Sequence, residues 1–474
     1  MKPFLKIVIS ATLVYFFSWF FAYKIGVNDL PIQSEDTLPA ILMPVTIIKE
    51  GTIYLDSYYD MLLEKYPHPD DKDYQKGLVP FYLRKVTSSN SQTHYVSAFP
   101  IVTSLLALPV YFFPVILGMP INFVNVTILA HLASALIVAF SGGFLYLLLK
   151  GHFFQEDPQT SLIKQKSFLL TAIYLFGTIN YAHISQALWQ HGTVQLFTIL
   201  SLLFLYKKRY VLTGLFFGLM LLSRPTSAIA VGLLGLLALI RHLNLESLSF
   251  SGILQSTLSK KEAVLKLIGR IILGMVPTIL FFLWYNKTFY QSIANQGYSS
   301  QIFTEWKGRF PEGFLGLWLS PSKGILIYSP IFLLSLYGIY KAFKNKANSK
   351  TIQYLAFSII VIIHTLVLGK WKHWYGGWSF GYRMASDTIP FLTLLLVPFV
   401  KSGLFNKYKK AFVGLFTLSV LVQLFGIVFF DGIWHAAYDL GYNNTSWLWS
   451  LRNSEFIFNI RRVLVKLGLR DSPF

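Results

Sequence analysis

Apolar runs long enough to cross a bilayer as a helix, about 20 residues, recur along most of the chain, parted by short polar breaks. The first, LKIVISATLVYFFSWFFAY at 5–23, follows Lys2 and contains Lys6. No small-residue cleavage site comes after it, so an uncleaved first span is expected rather than a signal peptide. Further runs at 121–149, 167–185, 190–206, 210–223, 225–241, 265–285, 325–343, 351–369, 384–400 and 410–430 bring the expected spans to about 11. Residues 97–120, SAFPIVTSLLALPVYFFPVILGMP, are also apolar enough to cross, but a crossing there would invert every later loop. Pro100, Pro109, Pro114 and Pro120 disfavour a straight helix, so a re-entrant or paired short helix, entering and leaving on the outer side, is expected.

The polar breaks sort by charge. Lys150 with Lys164 and Lys166, Lys207-Lys208-Arg209, and Arg241 with Lys260-Lys261 form three basic loops. Lys341, Lys344, Lys346 and Lys350 make a fourth, and Lys401, Lys407, Lys409 and Lys410 a fifth. Cytoplasmic loops of membrane proteins collect Lys and Arg. All five loops and the N-terminus are therefore expected in the cytoplasm. The segments 24–96, 181–191, 223–225, 286–324 and 370–383, and the tail from 431, then face outside.

Composition agrees. Only 13% of the 474 residues are charged and 54% are hydrophobic, against about 25% charged in a soluble domain. The expected fold is an all-α integral membrane protein of the cell membrane, multi-pass. Residues 1–430 form its polytopic domain, 24–96 a first extracytoplasmic loop with amphipathic surface helices, and 431–474 an extracytoplasmic tail. The net charge of +20 is accounted for by the cytoplasmic loops, so no nucleic-acid partner is expected. With no cysteine, disulfides, thiolate metal sites and Cys nucleophiles are excluded.

Ten of the 21 acidic residues lie in 24–96: Asp29, Glu35, Asp36, Glu50, Asp56, Asp60, Glu64, Asp70, Asp71 and Asp73. Leu38, Ile41, Leu42, Val45 and Ile48 follow helical spacing, which predicts an amphipathic helix over 36–49 lying on the membrane surface, with Gly51 ending it. Glu35 and Asp36 at its start have an ordinary reading, since acids there favour the helix dipole and cap free amides. They also have a chemical one: a carboxylate at the mouth of a membrane cavity can take a proton from a hydroxyl. Arg224, before Pro225, interrupts an apolar stretch. It either snorkels to the interface or marks a functional site, the default for an ionisable group in a span.

The turn YAHISQALWQHG (181–192) brings His183, Trp189 and His191 together, with hydrogen bonding favoured over metal ligation because no acidic third ligand is near. In KWKHWYGGWSFGYR (370–383), the aromatics, Trp374 among them, read as an interfacial belt or as a platform for sugar faces. In the second reading His373 and Arg383 contact hydroxyl or phosphate. LSPSKGILIYSP (319–330) puts Lys323 and Tyr328 at an outer mouth, and His131 and His364 are expected to be packed polar groups within spans.

Together these segments resemble the polyprenyl-phosphate-dependent glycosyltransferases of the GT-C fold, in particular the protein mannosyltransferases and the lipid A aminoarabinose transferases. The likeness covers most of the chain in layout, through short motifs. Ser34-Glu35-Asp36-Thr37 looks like the family's acidic pair before a surface helix. His94-Tyr95 with Pro100 is similar to its His/Tyr-Pro stretch, with altered spacing. Trp189-Gln190-His191-Gly192 stands where the family carries an acidic or polar residue, here His191. GLFFGLMLLSRP (214–225) looks like its Gly-x-x-x-Gly helix ending in a basic residue.

The resemblance implies a polyprenyl-phosphate-linked sugar as donor, among membrane lipids, and an acceptor glycan, lipid or protein. It implies transfer on the outer face, with Asp36 or Glu35 as base. Arg224, Lys323 and Arg383 would then hold the donor phosphate, while His94, His183, Trp189, His191, Tyr328, His373 and Trp374 contact sugar or acceptor. An arginine or lysine can stabilise a monophosphate leaving group, so metal-independent transfer with inversion, by analogy with opposed carboxylates, and no cofactor are expected. Rival classes are a lipid-linked sugar flippase, which needs charges along a path through the bilayer, a polysaccharide polymerase or ligase with a polyprenyl diphosphate donor, and a non-catalytic scaffold.

Overall fold

The computed structural model describes residues 2–26, 34–73, 75–88, 90–157, 159–243, 250–293, 297, 304–345 and 351–474, with backbone alone for 250–254. Asp29, Lys346 and Lys350 lie outside the described residues. The rest is mostly helical, as an apolar chain must be where water is not there to satisfy its backbone. Among the described residues, seven helical stretches are long and apolar enough to cross a membrane. They are α1 (Lys2–Lys24), Phe123–Phe153, Pro225–Leu243, Lys261–Phe289, Ile352–Gly369, Arg383–Lys401 and Lys409–Phe429. An eighth is formed if Thr160–Phe176 and Ile179–Gln186, bent by 46°, make one span.

The count of about eleven is thus not matched by helices of full length. The runs at 190–206 and 210–223 are helices of 17 and 14 residues, and the 325–343 run is broken into Ile325–Tyr328, a 3₁₀ turn at Pro330–Leu334 and Ser335–Lys344. Pro330, without an N–H, cannot continue the first piece.

Two expectations about the outer region change. Helix α2 (Leu38–Glu50) occupies the predicted place and ends at Gly51 with φ +64°. It is an interior helix, not one lying on a surface: Leu38, Ile41, Leu42, Met43, Val45 and Thr46 are all buried. Pro39, Met43 and Pro44 widen its apolar stripe beyond one face, so a single interface cannot cover it. Residues 97–120 form no pair of helices but one, α3 (Val102–Ile116), which keeps Pro109 and Pro114 within it. It packs on α2 and on α4 (Phe123–Leu148).

The first loop also holds an antiparallel hairpin that helical periodicity did not predict, β1 (Leu83–Thr87) with β2 (Thr93–Ser97), in register Leu83↔Ser97. Asp56 ties it down: its carboxylate accepts the N–H of Tyr95 at 2.7 Å and the Nδ1–H of His94 at 2.6 Å.

The bundle has two distinct ends. At one, Phe4 packs on Phe144, and His152 stacks on Tyr206 with ring centres 3.7 Å apart. Arg241 lies over the same Tyr206, and the Lys166 and Lys401 ammonium groups lie over Phe154. The start of α1 and the basic loops at 150–166, 207–209, 241 and 401 therefore share this end. At the other, the start of α2, the breaks at 188–191 and 224–226, and the loop 370–383 meet around a cavity. Helix α3 begins there, through Thr103 on Thr193, and so does α4 after it, through Phe123 on Tyr66, a cavity residue.

Candidate active site

The cavity encloses about 750 Å³. Two of its acids, Glu35 and Asp36, arrive on a 3₁₀ turn, Glu35–Thr37, opened by Ser34, whose hydroxyl accepts the Asp36 N–H at 3.4 Å. Burial, and then the neighbouring Asp36 charge, raise the Glu35 carboxyl above its ordinary value.

Asp36 is met from the far side of the sequence. Arg383 donates from Nη1 to Asp36 Oδ2 at 2.5 Å, and its guanidinium lies over the Trp189 ring at 4.6 Å, a cation–π contact that fixes its plane. The loop that delivers Arg383 needs its glycines: Gly381 has φ +67°, and a Cβ there would press on Tyr328 and Ile179.

Arg224 is equally committed. Helix α5 (Tyr210–Ser223) stops before it, and Arg224 itself is extended, with φ −154° and ψ 124°. Its Nη1 donates to Asp387 Oδ2 at 2.5 Å. His191 Nδ1 is 2.8 Å from Asp387 Oδ1 and 2.9 Å from Arg224 Nη1. A guanidinium only donates, so with the ring N–H turned to the carboxylate, Asp387 satisfies both. His364 Nε2 is 3.9 Å from the same carboxylate.

Asp387 was absent from the sequence reading because it falls inside the apolar run 384–400. The signal was available, since an acid within a span is a functional candidate by default. His364 belongs to this cluster instead of serving only as a packed polar residue.

Of the residues singled out in the sequence, Glu35, Asp36, Trp189, His191, Arg224, His373 and Arg383 line the cavity. His373 is hydrogen-bonded to the Tyr375 hydroxyl at 3.0 Å, and burial lowers its pKa. The others lie elsewhere. His94 is on the hairpin, stacked on Tyr54 with ring centres 3.9 Å apart. Trp374 is buried behind the loop, against Gly313 and Gly316. His183 is buried against Trp189. Trp371 and Trp378, aromatics of the 370–383 loop, also line it, as do Trp306 and Phe430, which sequence reasoning did not single out.

Lys323 and Tyr328 join a separate buried cluster. The Lys323 ammonium donates to the Ser379 carbonyl and to His435 Nε2, the latter at 2.9 Å, and burial pulls it down to about 8. The Tyr328 hydroxyl donates to Glu455 Oε2 at 2.9 Å. Through this cluster the chain after residue 431 braces the loop 370–383. His435 also stacks with Trp378 of the cavity wall, and Asp431, itself in that wall, is held by two hydrogen bonds from Arg462.

No protein-family model matches the chain, and no curated protein does. Chemically, the cavity offers carboxylates that accept protons, guanidinium groups that hold an anion, and indole faces for the C–H surfaces of a sugar.

Proposed function

We propose that the protein is a membrane glycosyltransferase that moves a sugar from a polyprenyl-phosphate carrier to a hydroxyl of a lipid, glycan or protein acceptor, on the extracytoplasmic side. The observation that carries this reading is the convergence in one cavity of Glu35, Asp36, Arg383 and Arg224 with an aromatic wall. A volume near 750 Å³ is within the range of small-molecule sites, about 300–1,000 Å³, and accommodates a sugar phosphate.

In the proposed reaction the acceptor oxygen attacks the anomeric carbon as the bond from that carbon to the phosphate oxygen breaks. The hydroxyl proton passes to Asp36, with Glu35 as its neighbour and substitute. The bonding pair leaves on the phosphate, and polyprenyl monophosphate is released. A single displacement of this kind inverts the anomeric centre, by analogy with paired-carboxylate glycosidases. Arg383 and Arg224 oppose the charge that grows on the leaving group. Lys323, enclosed by Ser379 and His435, supports the loop in place of touching phosphate. Trp189 and His373 face the sugar.

The gathering of paired carboxylates and arginines around one cavity favours this reading over a flippase, which needs polar groups along a path. His131, deep in α4, is stacked on Trp19 and donates to the Thr127 carbonyl at 2.9 Å. A polymerase or ligase would release polyprenyl diphosphate instead.

The test is to incubate the purified protein separately with polyprenyl-phosphate and polyprenyl-diphosphate sugars and assay the released lipid. Polyprenyl monophosphate is expected, and Asp36→Asn should slow its release roughly 10²–10⁴-fold, the usual contribution of a general base. Diphosphate release, or an Asp36→Asn enzyme with ordinary turnover, would overturn the assignment.

A further inference from the structure

We infer that the donor phosphate and Asp36 compete for the same guanidinium, Arg383, so that seating the lipid phosphate is the event that frees Asp36 to act as base. This rests on the glycosyl-transfer reading.

The first ground is that the cavity's cations are already taken. Arg383 is on Asp36, Arg224 on Asp387 and Lys372 on Glu305. An incoming phosphate must therefore displace a carboxylate or share a cation with one.

The second ground is that the two arginine pairs are not equivalent. Asp387 is 5% exposed, gripped by His191 as well as Arg224, with His364 beside it. Displacing it would strand a carboxylate in a buried site, which is costly. Asp36 is 26% exposed, lines the cavity on a short turn, and among the described residues its side chain has Arg383 as its partner. It can turn away into space that water or substrate fills.

The third ground is the state of Arg383. Its Nε is buried and has no hydrogen-bond partner among the described residues. A guanidinium held by one Nη1 contact keeps further N–H donors in reserve, and once Asp36 moves aside a phosphate can accept two of them in its place. The Trp189 ring keeps its plane in position whichever anion it holds.

The exchange has a chemical consequence. A carboxylate against a guanidinium pulls weakly on a hydroxyl proton. Moved off the cation, and left beside Glu35, it pulls more strongly. The base is masked until the donor is seated, so proton abstraction waits on the donor whichever substrate arrives first.

The experiment measures binding rather than turnover. The full-length chain in lipid nanodiscs is titrated with decaprenyl monophosphate, with decaprenol as the control that lacks phosphate. Asp36→Asn, with Asp36→Ala as a second variant that cannot hold Arg383, should bind the monophosphate roughly five- to tenfold more tightly than the parent, as removal of a charged hydrogen-bond competitor allows. Arg383→Gln should weaken it by at least as much. In the Arg383→Gln background, Asp36→Asn should change nothing further.

Unchanged or weaker binding by both Asp36 variants would overturn the exchange and make the pair a fixed support for Arg383. Equal tightening with and without Arg383 would also overturn it, leaving only a general field effect. Failure of the parent to prefer monophosphate over decaprenol would instead count against the glycosyl-transfer reading itself.

Discussion

Arg224 and Asp387 are 12% and 5% exposed, and removal of one partner from a buried pair leaves the other charge uncompensated, at a cost of about 3–5 kcal/mol. Arg224→Ala and Asp387→Ala are each expected to lose stability of that order, and the double variant little more than either. Thermal melting in detergent measures this; an arginine that merely snorkels would melt like the parent when removed. A second residue-scale consequence concerns pH. Burial raises the Glu455 carboxyl from 4.5 to about 7. Folded Glu455 thus keeps a proton where the unfolded chain has lost it, and its effect is to make stability fall as pH rises from about 4.5 to about 7. Lys323, lowered from 10.5 to about 8, acts oppositely, raising stability as pH climbs through that higher window. Glu455→Gln keeps a partner for the Tyr328 hydroxyl without the charge. Its melting temperature should be flatter across the acidic window than the parent's, and an undiminished slope would remove Glu455 as the cause.

Between elements, α5 and α6 (Lys261–Phe289) approach closely. A Cβ on Gly214 would overlap the Ile271 carbonyl oxygen, one on Gly274 the Val211 carbonyl oxygen, and one on Gly218 the Thr278 hydroxyl. Small residues at such spacing let backbones meet where lipid supplies no hydrophobic drive. Gly214→Ala and Gly274→Ala should therefore each cost about 2 kcal/mol or more by overpacking, seen as a lowered melting temperature or loss of monodisperse protein. Gly269, on the same α6, has nothing within 4 Å of its would-be Cβ, so Gly269→Ala should be neutral or slightly stabilising. The helices were legible because apolar runs of span length leave few alternatives in a bilayer. Their breaks were less so: Pro330 divides one run, whereas Pro109 and Pro114 do not divide α3. The hairpin escaped because LRKVT and THYVS are short and half polar, their pairing fixed by Asp56 from outside the strands.

Across the whole molecule, the residues of the site were easier to read than their partners. Charged groups are scarce in this chain and costly near lipid, so Glu35, Asp36, Arg224 and Arg383 stood out singly. The pairs Asp36–Arg383 and Arg224–Asp387 span 347 and 163 positions, and no local pattern specifies which distant elements will meet. Lys323 stood out equally, yet folding directs it inward to Ser379 and His435. The two-ended arrangement itself yields the last prediction. Helix Gln190–Tyr206 runs from the cavity residue His191 to Tyr206 beneath Arg241, and α5 returns from Tyr210 to Arg224. One such helix separates the acid-rich end from the basic one, and the excess of Lys and Arg predicts that the basic end is cytoplasmic. A reporter fused after Arg209 should then report cytoplasmic placement, and one after Asp73, in the loop that carries Asp36, extracytoplasmic placement. The Asp36–Arg383 pair requires the Arg383 loop to lie with Asp73, so a third fusion, after Gly377, must agree with the second. If Arg209 and Asp73 were found on one side, the two ends of the bundle would not face opposite sides of a membrane, and the placement of the cavity on the outer face would fail.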